Sequence, residues 1–557
     1  MTFEDINRQA VSDWRAMTDG KSPCIYIDTS TYGNSAGLII RDYINAALKQ
    51  RDIDTRVISV GGCGPGYLSP FIQVGKPGRP RICYSRVTPE IIDRVIADYI
   101  IKDNPGPDLA FCSLGPGKIE GIPVASELPV FKDQVRIILR NCGYIDPENI
   151  NHYIAQGGYS GLAKALKLSS EDVIAEVLNS GLKGRGGAGY PAGKKWQICR
   201  EAAGAEKYVI CNAHEGDPEA SLNRSLLESD PHSVLEGMLI GAYAVGADHG
   251  YIFIRSDYNL AIARLKIALK QMSDYGLLGD RILGTGFNFQ IEIREAPSDL
   301  VCGEESAMIM TLEGKRAMPC SRPPFPAASG YKGCPTLVNN AETLAGVSII
   351  LQKGAGWYVG CGTAVSKGTK VFRLSGVNRP GLIEVPLGTS LRKIIYDIGG
   401  GLPGNKSLKT VMIGGPTGGC LTAESLDMEI DYDNLAAAGA IMGSGTIMVF
   451  DTDSCIVDLA KQYAVFTAAE SCGKCVMCRE GTFQIQEILK DITGGSGKLD
   501  QLDLLMELAE AMSLESFCAL GRTAANPVLT TLKHFRGEYE AHIKDHRCPA
   551  GVCFKSV

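Results

Sequence analysis

The chain carries no surplus of positive charge: 56 Lys and Arg stand against 62 Asp and Glu, a net of −6. General nucleic-acid binding wants a basic face, so that class of function is set aside. A long uncharged apolar run is also missing. The most apolar stretch, residues 234–254, contains Glu236, Asp248 and His249, whereas a membrane span wants about 20 residues with few or no charges. That stretch is read as a buried helix followed by a strand. The opening MTFEDINRQAVSDW has no basic segment leading into an apolar one, so no secretory signal is expected. No tandem repeat is visible, and 45% apolar with 21% charged residues excludes a disordered or fibrous chain. The expectation is a cytoplasmic, multidomain globular protein. At roughly 100–200 residues per domain, a chain of 557 residues holds about three to five.

Two residue types are plentiful: 65 glycines and 19 cysteines. A chain this large does not need disulfide staples, and cytoplasmic thiols stay reduced. Clustered cysteines are therefore read as metal ligands and scattered ones as small core residues. The pattern suggests a multidomain α/β and α+β architecture. Residues 1–120 read as a small α/β unit, with strands at 25–28 and 55–60, a helix at 36–50, and a second helix at 88–101 with Pro89 at its start, where proline is tolerated. Residues 61–80 read as a Gly/Pro-rich connection and 104–135 as a linker. A larger unit spans 121–360, with a helix start at Ser169 to Asp172 and buried strands at 208–212 and 250–254. Residues 361–452 suggest a β-grasp unit, with strands at 370–374, 381–385, 410–413 and 445–450 around a helix at 391–398. Residues 453–543 have helical periodicity, as in a bundle, and 544–557 form a tail.

The strongest chemical signal is Cys472, Cys475 and Cys478 at C-x2-C-x2-C spacing, with Cys518 forty residues on. Three close thiolates can occupy three corners of a [4Fe–4S] cubane while a distant fourth closes it. The alternatives are zinc, which more often uses two C-x2-C pairs, or unrelated core thiols. A second group, His542, His546, Cys548 and Cys553, could ligate zinc but needs a further ligand from elsewhere. Gly184-Arg185-Gly186-Gly187-Ala188-Gly189 matches G-x-G-x-x-G literally, yet follows a helix where a Rossmann turn follows a strand. It can still bring backbone N–H groups close to phosphate; a purely structural turn is the other reading. Two acidic loops, 212–217 and 301–306, place carboxylates at element ends. These are costly unless they hold hydroxyls, amides or a cation, or stay solvated.

Together the segments 181–196 (GLKGRGGAGYPAGKKW), 211–218 (CNAHEGDP), 302–305 (CGEE), 322–326 (RPPFP), 338–343 (VNNAET) and the 470–478 cluster loop resemble the NADH-binding flavoprotein subunit of respiratory complex I. Residues 77–89 and the terminal CPAGVC run are similar to the soluble branch of that family, the beta subunits of NAD(P)-dependent [FeFe]-hydrogenases, formate dehydrogenases and electron-bifurcating complexes. The resemblance implies a thioredoxin-like N-terminal domain, an FMN and NAD(H)- or NADP(H)-binding domain, a β-grasp domain of the soluble-ligand-binding type, and a four-helix [4Fe–4S] domain. Gly184 to Gly189 and Gly193 would border the nucleotide and FMN phosphates. Lys195 and Gly303 would line the same pocket. Asn212, Glu215, Glu304, Asn339 and Asn340 would hold the flavin, and Tyr190, Asp217, Glu305, Arg322 and Phe325 the nicotinamide nucleotide. No side chain need act as acid or base.

Three residues depart from the family pattern: His214 where Asp is usual, Glu219 where Gly is usual, and Leu300 where Tyr is usual. The N-terminal unit lacks the thiols of a [2Fe–2S] site, with residues 28–32 reading DTSTY and Tyr67 standing at the partner position of Cys63. The implied function is hydride transfer between NAD(P)H and FMN with single electrons passed to the cubane. A small thioredoxin-like [2Fe–2S] subunit and a catalytic subunit would be its partners in a hetero-oligomeric complex. The alternative is a non-catalytic paralogue that keeps the cluster as a scaffold.

Overall fold

The computed structural model describes residues 2–20, 22–31 and 36–553. The first sheet has five strands in the order β2-β1-β3-β4-β5: β1 Cys24–Asp28, β2 Arg56–Val60, β3 Ile72–Gly75, β4 Arg81–Tyr84 and β5 Cys112–Leu114. β1 runs parallel to β2 across the crossover helix Ala36–Gln50, and the other pairings are antiparallel. β1 is buried on both faces: Ile25 and Ile27 enter one core and Cys24 and Tyr26 another, as the two-residue period of a strand dictates. Here the structure corrects the sequence reading. The Gly/Pro-rich connection at 61–80 contains β3, and the 104–135 linker supplies the edge strand β5. Both strands are too short and too punctuated by Gly and Pro to show a period. The first helix, Phe3–Thr18, buries Ile6 and Ala10 in the central core rather than in its own sheet.

The central sheet is wholly parallel, ordered β8-β7-β6-β9, from β6 Tyr208–Asn212, β7 His249–Arg255, β8 Gln290–Ala296 and β9 Thr336–Asn340. The apolar helix Pro231–Val245 packs behind it, beside Ala341–Lys353. Asp230 caps the first through Ser233 N–H at 3.3 Å, and Gly246 ends it at φ 80°, a left-handed position glycine adopts without strain. In register, Cys211 faces Asn339 and Asn212 faces Asn340. Four signature residues therefore meet at the carboxyl ends of β6 and β9, where open parallel sheets bind ligands.

The third sheet, ordered β11-β10-β14-β12-β13, is mixed. It comprises β10 Thr369–Ser375, β11 Gly381–Pro386, β12 Leu408–Ile413, β13 Gly419–Leu421 and β14 Thr446–Asp451. It is locked to the central unit by a fully buried ion pair, Lys370 Nζ to Glu342 at 2.6 Å, with Glu342 also accepting from Val371 N–H at 2.9 Å. Burial pushes the lysine pKa down and the facing carboxylate opposes that shift. Lys370→Met should cost about 3–5 kcal/mol because it strands a buried carboxylate. The thermal midpoint checks this, and an unshifted midpoint would mean the latch bears no load.

Four long helices, Ile456–Ala469, Val476–Gly494, Asp500–Glu515 and Asn526–Lys544, and the short Ala519–Thr523 follow. They close over a core that includes Ile485, Leu489, Leu505 and Leu532. None of the helices among the described residues is long and apolar enough to cross a membrane.

Candidate functional site

The glycine loop leaves the helix Ser170–Asn179, capped by Ser169 accepting from Asp172 N–H, and returns into the helix Ala192–Glu201. Gly186 and Ala188 are exposed at its tip. A Cβ at Gly186 would come 3.4 Å from the Asn340 side chain, and Gly187 takes φ 120° against Gly443. The loop thus leans on the carboxyl end of β9 with its backbone open on one side. Two other members of the motif face inward. Arg185 is buried, donating to the Lys183 carbonyl, to Tyr358 Oη at 3.1 Å and to the Lys367 carbonyl at 2.6 Å. Gly193 lets one helix lie on the backbone of Leu178. Tyr190 and Phe325 are exposed aromatics, 46% and 55% accessible, the kind of surface on which a flat ring can stack. Arg322 lies over the Phe325 ring at 5.7 Å.

The acidic residues are held by partners that fix their directions. Glu304 caps the helix Glu305–Leu312, accepting from Ser306 N–H and Ala307 N–H at 2.9 Å each, and its other oxygen pairs with Arg322. Glu305 pairs with Lys195, whose ammonium also reaches the Val338 carbonyl at 3.1 Å. Asn212 donates to the Gly303 carbonyl at 2.9 Å, and Asn339 accepts from Trp196 Nε1 at 2.8 Å. Asn340 caps the helix behind β9 and donates to Asn223 at 3.2 Å. Gly303, Glu304, Glu305, Lys195, Asn212, Asn339 and Asn340 therefore form one connected constellation.

Two residues stand apart. Glu215 is buried and caps the helix Leu222–Ser229 through Asn223 N–H at 2.8 Å and Arg224 N–H at 3.1 Å; burial raises its pKa. Asp217 turns to the third sheet, accepting from Ser444 Oγ at 2.7 Å and Thr446 Oγ1 at 2.6 Å. Sequence reasoning did not single out Lys370, Ser444, Thr446 or Asn223, because their partners are far off in the chain.

The loop of Cys472, Cys475 and Cys478 is fastened to the segment 300–319 that carries Gly303, Glu304 and Glu305. Glu470 accepts from Leu300 N–H at 2.6 Å, Lys474 donates to the Pro319 carbonyl at 2.6 Å, and Arg316 donates to the Cys472 carbonyl at 3.2 Å. Cys518 enters from the helix turn opposite. Phe517 N–H donates to Cys475 Sγ at 3.4 Å, and a Cβ at Gly521 would come 3.1 Å from Cys478 Cβ. Burial pushes the thiols of Cys478 and Cys518 up, the latter to about 11. Such thiols are costly to ionise in a bare protein and are relieved by binding soft metal. The donor set fits an iron–sulfur cluster.

A second thiol group lies at the far end of the bundle. Cys455, His542, Cys548 and Cys553 bring their ligand atoms within 4.8 Å of one another. Cys455 Sγ is 3.5 Å from Cys553 Sγ and 3.5 Å from His542 Nε2. A tetrahedral zinc with ~2.3 Å Zn–S bonds spaces its sulfurs about 3.8 Å apart, so the group fits that ion. His542 Nδ1 lies 2.7 Å from the Glu538 carbonyl, which fixes that nitrogen as donor and points Nε2 at the thiols. The bond to Cys553 lowers the Cys455 pKa, burial opposes this, and His542 adds to the lowering. The fourth side chain of this group is Cys455. His546 is exposed. No spacing rule could find Cys455, eighty-seven residues before His542.

In the N-terminal unit, Cys63 packs with Cys83, Cys112, Leu68 and Phe71, and burial raises its pKa to about 12. Asp28 accepts from Ser30 N–H at 2.8 Å and Thr31 N–H donates to Glu228 at 2.8 Å; Tyr32, part of the same sequence expectation, lies outside the described residues. Cys63, Cys83 and Cys112 are three thiols, where a [2Fe–2S] cluster takes four. Cys63→Ser in the full chain should leave the iron content and reduced EPR spectrum unchanged. Loss of a rhombic signal in that variant would reveal a [2Fe–2S] centre here.

The family model of the Nuo51 FMN-binding domain matches residues 177–349, and that of the NADH-ubiquinone oxidoreductase-F iron-sulfur binding region matches residues 458–542. The chain is 52% identical over 423 residues to the HndC subunit of the NADP-reducing hydrogenase of Solidesulfovibrio fructosivorans, covering 76% of this chain and 86% of that one. It is 44% identical over 416 residues to an NADH-quinone oxidoreductase subunit of Rhizobium meliloti strain 1021, covering 74% and 99%. Among solved structures, a chain of an NAD+-reducing [NiFe]-hydrogenase in the H2-reduced state aligns with a TM-score of 0.66 at 29% identity, over 98% of this chain and 89% of that one.

Proposed function

Since the chain belongs to the family that holds the HndC subunit of NADP-reducing hydrogenase and the matching, FMN-binding subunit of NADH-quinone oxidoreductase, we propose that it exchanges hydride with NAD(P)H and passes single electrons to a [4Fe–4S] cluster. It is an oxidoreductase subunit with an FMN-binding domain and an iron–sulfur region. FMN supplies the conversion between two-electron and one-electron chemistry. The chain's own residues bind and align. The open side of Gly184 to Gly189 accommodates phosphate, Asn212, Asn339, Asn340 and Glu304 border the flavin, and Tyr190 and Phe325 stack the nucleotide. The Lys195–Glu305 and Arg322–Glu304 pairs place charge at its rim, while Asp217 holds its loop against Ser444 and Thr446. What carries the reading is the direct tie between the two centres: Leu300, Pro319 and Arg316 on the flavin side bond Glu470, Lys474 and Cys472 on the cluster side. Holding two redox groups at fixed separation is the protein's main task in such chemistry.

The first sheet, with its parallel β1–β2 pair and antiparallel remainder, supports a thioredoxin-like domain, and the third a β-grasp domain. One cubane site is proposed among the described residues, at Cys472, Cys475, Cys478 and Cys518, and a small [2Fe–2S] subunit and a catalytic subunit are proposed as partners in the cytoplasm. A second acceptor served by the same flavin would make the transfer bifurcating. Zinc at Cys455, His542, Cys548 and Cys553 would be structural. Anaerobic titration of the purified chain with NADH and with NADPH tests the central reading. Bleaching of a flavin band supports turnover, and a chain with cluster but no reducible flavin would instead be the scaffold paralogue.

A further inference from the structure

The glycine loop is held from behind by a side chain of the unit built on the third sheet. The neck of the loop is a small antiparallel bridge between Lys183 and Pro191. There Gly184 N–H donates to the Tyr190 carbonyl at 2.8 Å, and Ala192 N–H to the Leu182 carbonyl at 2.9 Å. The next peptide group, from the Gly184 carbonyl to the Arg185 N–H, is engaged from outside the loop on both sides. Arg185 N–H donates to Thr343 Oγ1 at 2.9 Å, and Tyr432 Oη donates to the Gly184 carbonyl at 2.9 Å. A peptide group is planar, so holding its oxygen and its hydrogen fixes the plane from which the chain turns out to the exposed tip at Gly186 and Ala188.

The tyrosine ring reaches the other stem of the loop. A Cβ on Gly189 would come 2.6 Å from Tyr432 Cδ1, and Gly189 takes φ 66°; glycine leaves both the room and the backbone angle. Lys183 Nζ lies over the same ring, 5.5 Å from its centroid. Tyr432 is itself anchored. It opens the helix Tyr432–Ala437 and packs half-buried against the core of the third sheet. Asp431 caps that helix through Asn434 N–H at 2.9 Å and accepts from Thr363 Oγ1 at 3.2 Å. One side chain, 248 residues beyond Gly184, thus touches both stems of a loop whose glycines have much conformational freedom to lose.

We propose that Tyr432 is a positioning residue of the nucleotide site: by holding the Gly184 carbonyl and packing on Gly189 it pre-forms the loop that receives phosphate, which gives the unit of the third sheet a part in binding NAD(P)H. This role rests on the reading of Gly184 to Gly189 as a phosphate-binding loop given above. Packing alone would be served by phenylalanine; the hydroxyl is spent on the loop backbone. A loop ordered beforehand loses less entropy on association. The effect of Tyr432 therefore falls on nucleotide affinity rather than on the rate once nucleotide is bound.

Tyr432→Phe keeps the ring on Gly189 and removes only the hydroxyl. Thr410→Val removes another hydroxyl bond of the same unit, from Oγ1 to the Leu421 carbonyl at 2.9 Å on β12, and serves as the comparison for lost stability alone. Two quantities are measured on the full chain as purified: hydrogen exchange of the backbone amides over residues 184–190 without nucleotide, and the dissociation constants of NAD+ and NADP+ by titration calorimetry. Tyr432→Phe should speed exchange across 184–190 and weaken the bound nucleotide about fivefold, the size of one net hydrogen bond. Its kcat at saturating NAD(P)H should stay within about twofold of the native value. Thr410→Val should leave the exchange and the affinity as in the native chain. Unchanged exchange in Tyr432→Phe overturns the proposal. So does a Thr410→Val chain that matches Tyr432→Phe in both quantities, which would assign the effect to general loosening of the unit. Faster exchange with unchanged nucleotide affinity overturns instead the phosphate reading of the loop on which the proposal stands.

Discussion

Cys475→Ser should empty the cubane. The variant is expected to lose about four irons per chain and to fall by more than about a hundredfold in electron delivery to a one-electron acceptor, since loss of mere outer-shell partners already costs about 10–100-fold. Cys475 precedes the helix Val476–Gly494 and receives the Phe517 N–H, so it joins the motif loop to the segment bearing Cys518. A serine oxygen is harder than thiolate and mismatched to iron–sulfur chemistry. Bleaching of the flavin by NAD(P)H should survive, because the ties from Glu470 and Lys474 to the flavin side do not pass through Cys475. Iron assay and anaerobic spectra check both halves. Unchanged iron would show that the ligands are wrongly chosen.

The Cys455→Ser/Cys553→Ser double variant should lose about one zinc per chain while keeping its cluster iron. Structural zinc sites contribute on the order of 10–16 kcal/mol of apparent binding free energy in small peptides. Here the ion would join the start of the helix Ile456–Ala469 to the end of Asn526–Lys544 and to the tail. Without it the tail has little apolar surface to hold it. Proteolysis should then clip the chain near residue 547, and the thermal midpoint of the bundle should fall. Elemental analysis decides the matter: a native chain prepared without chelator and found free of zinc would leave the four side chains as a vestige.

Much of this was legible in order along the chain. The strand Tyr208–Asn212, the helix start at Ser169, the helical run after 455 and the C-x2-C-x2-C loop each carry their signal within a few residues, because side-chain period, capping and thiol spacing are local properties. β3 and β5 were not legible, since each is three or four residues long and is held by its neighbours in the sheet rather than by its own pattern. The family's signature loops also marked where a nucleotide site would form, though not which way each side chain turns. Arg185 and Gly193 belong to the glycine motif by sequence, yet they serve packing in the fold.

What the amino-acid order alone determined, then, is the longer elements, the thiol spacing of the cluster loop and the chemistry those residues can support. Tertiary structure decided that Cys455 completes the second thiol group, that Asp217 is turned to Ser444 and Thr446, and that Lys370 is paired with Glu342. The physical reason is common to all three. Each depends on atoms brought together from residues far apart in the chain, and a contact made by burial leaves no period or spacing in the sequence.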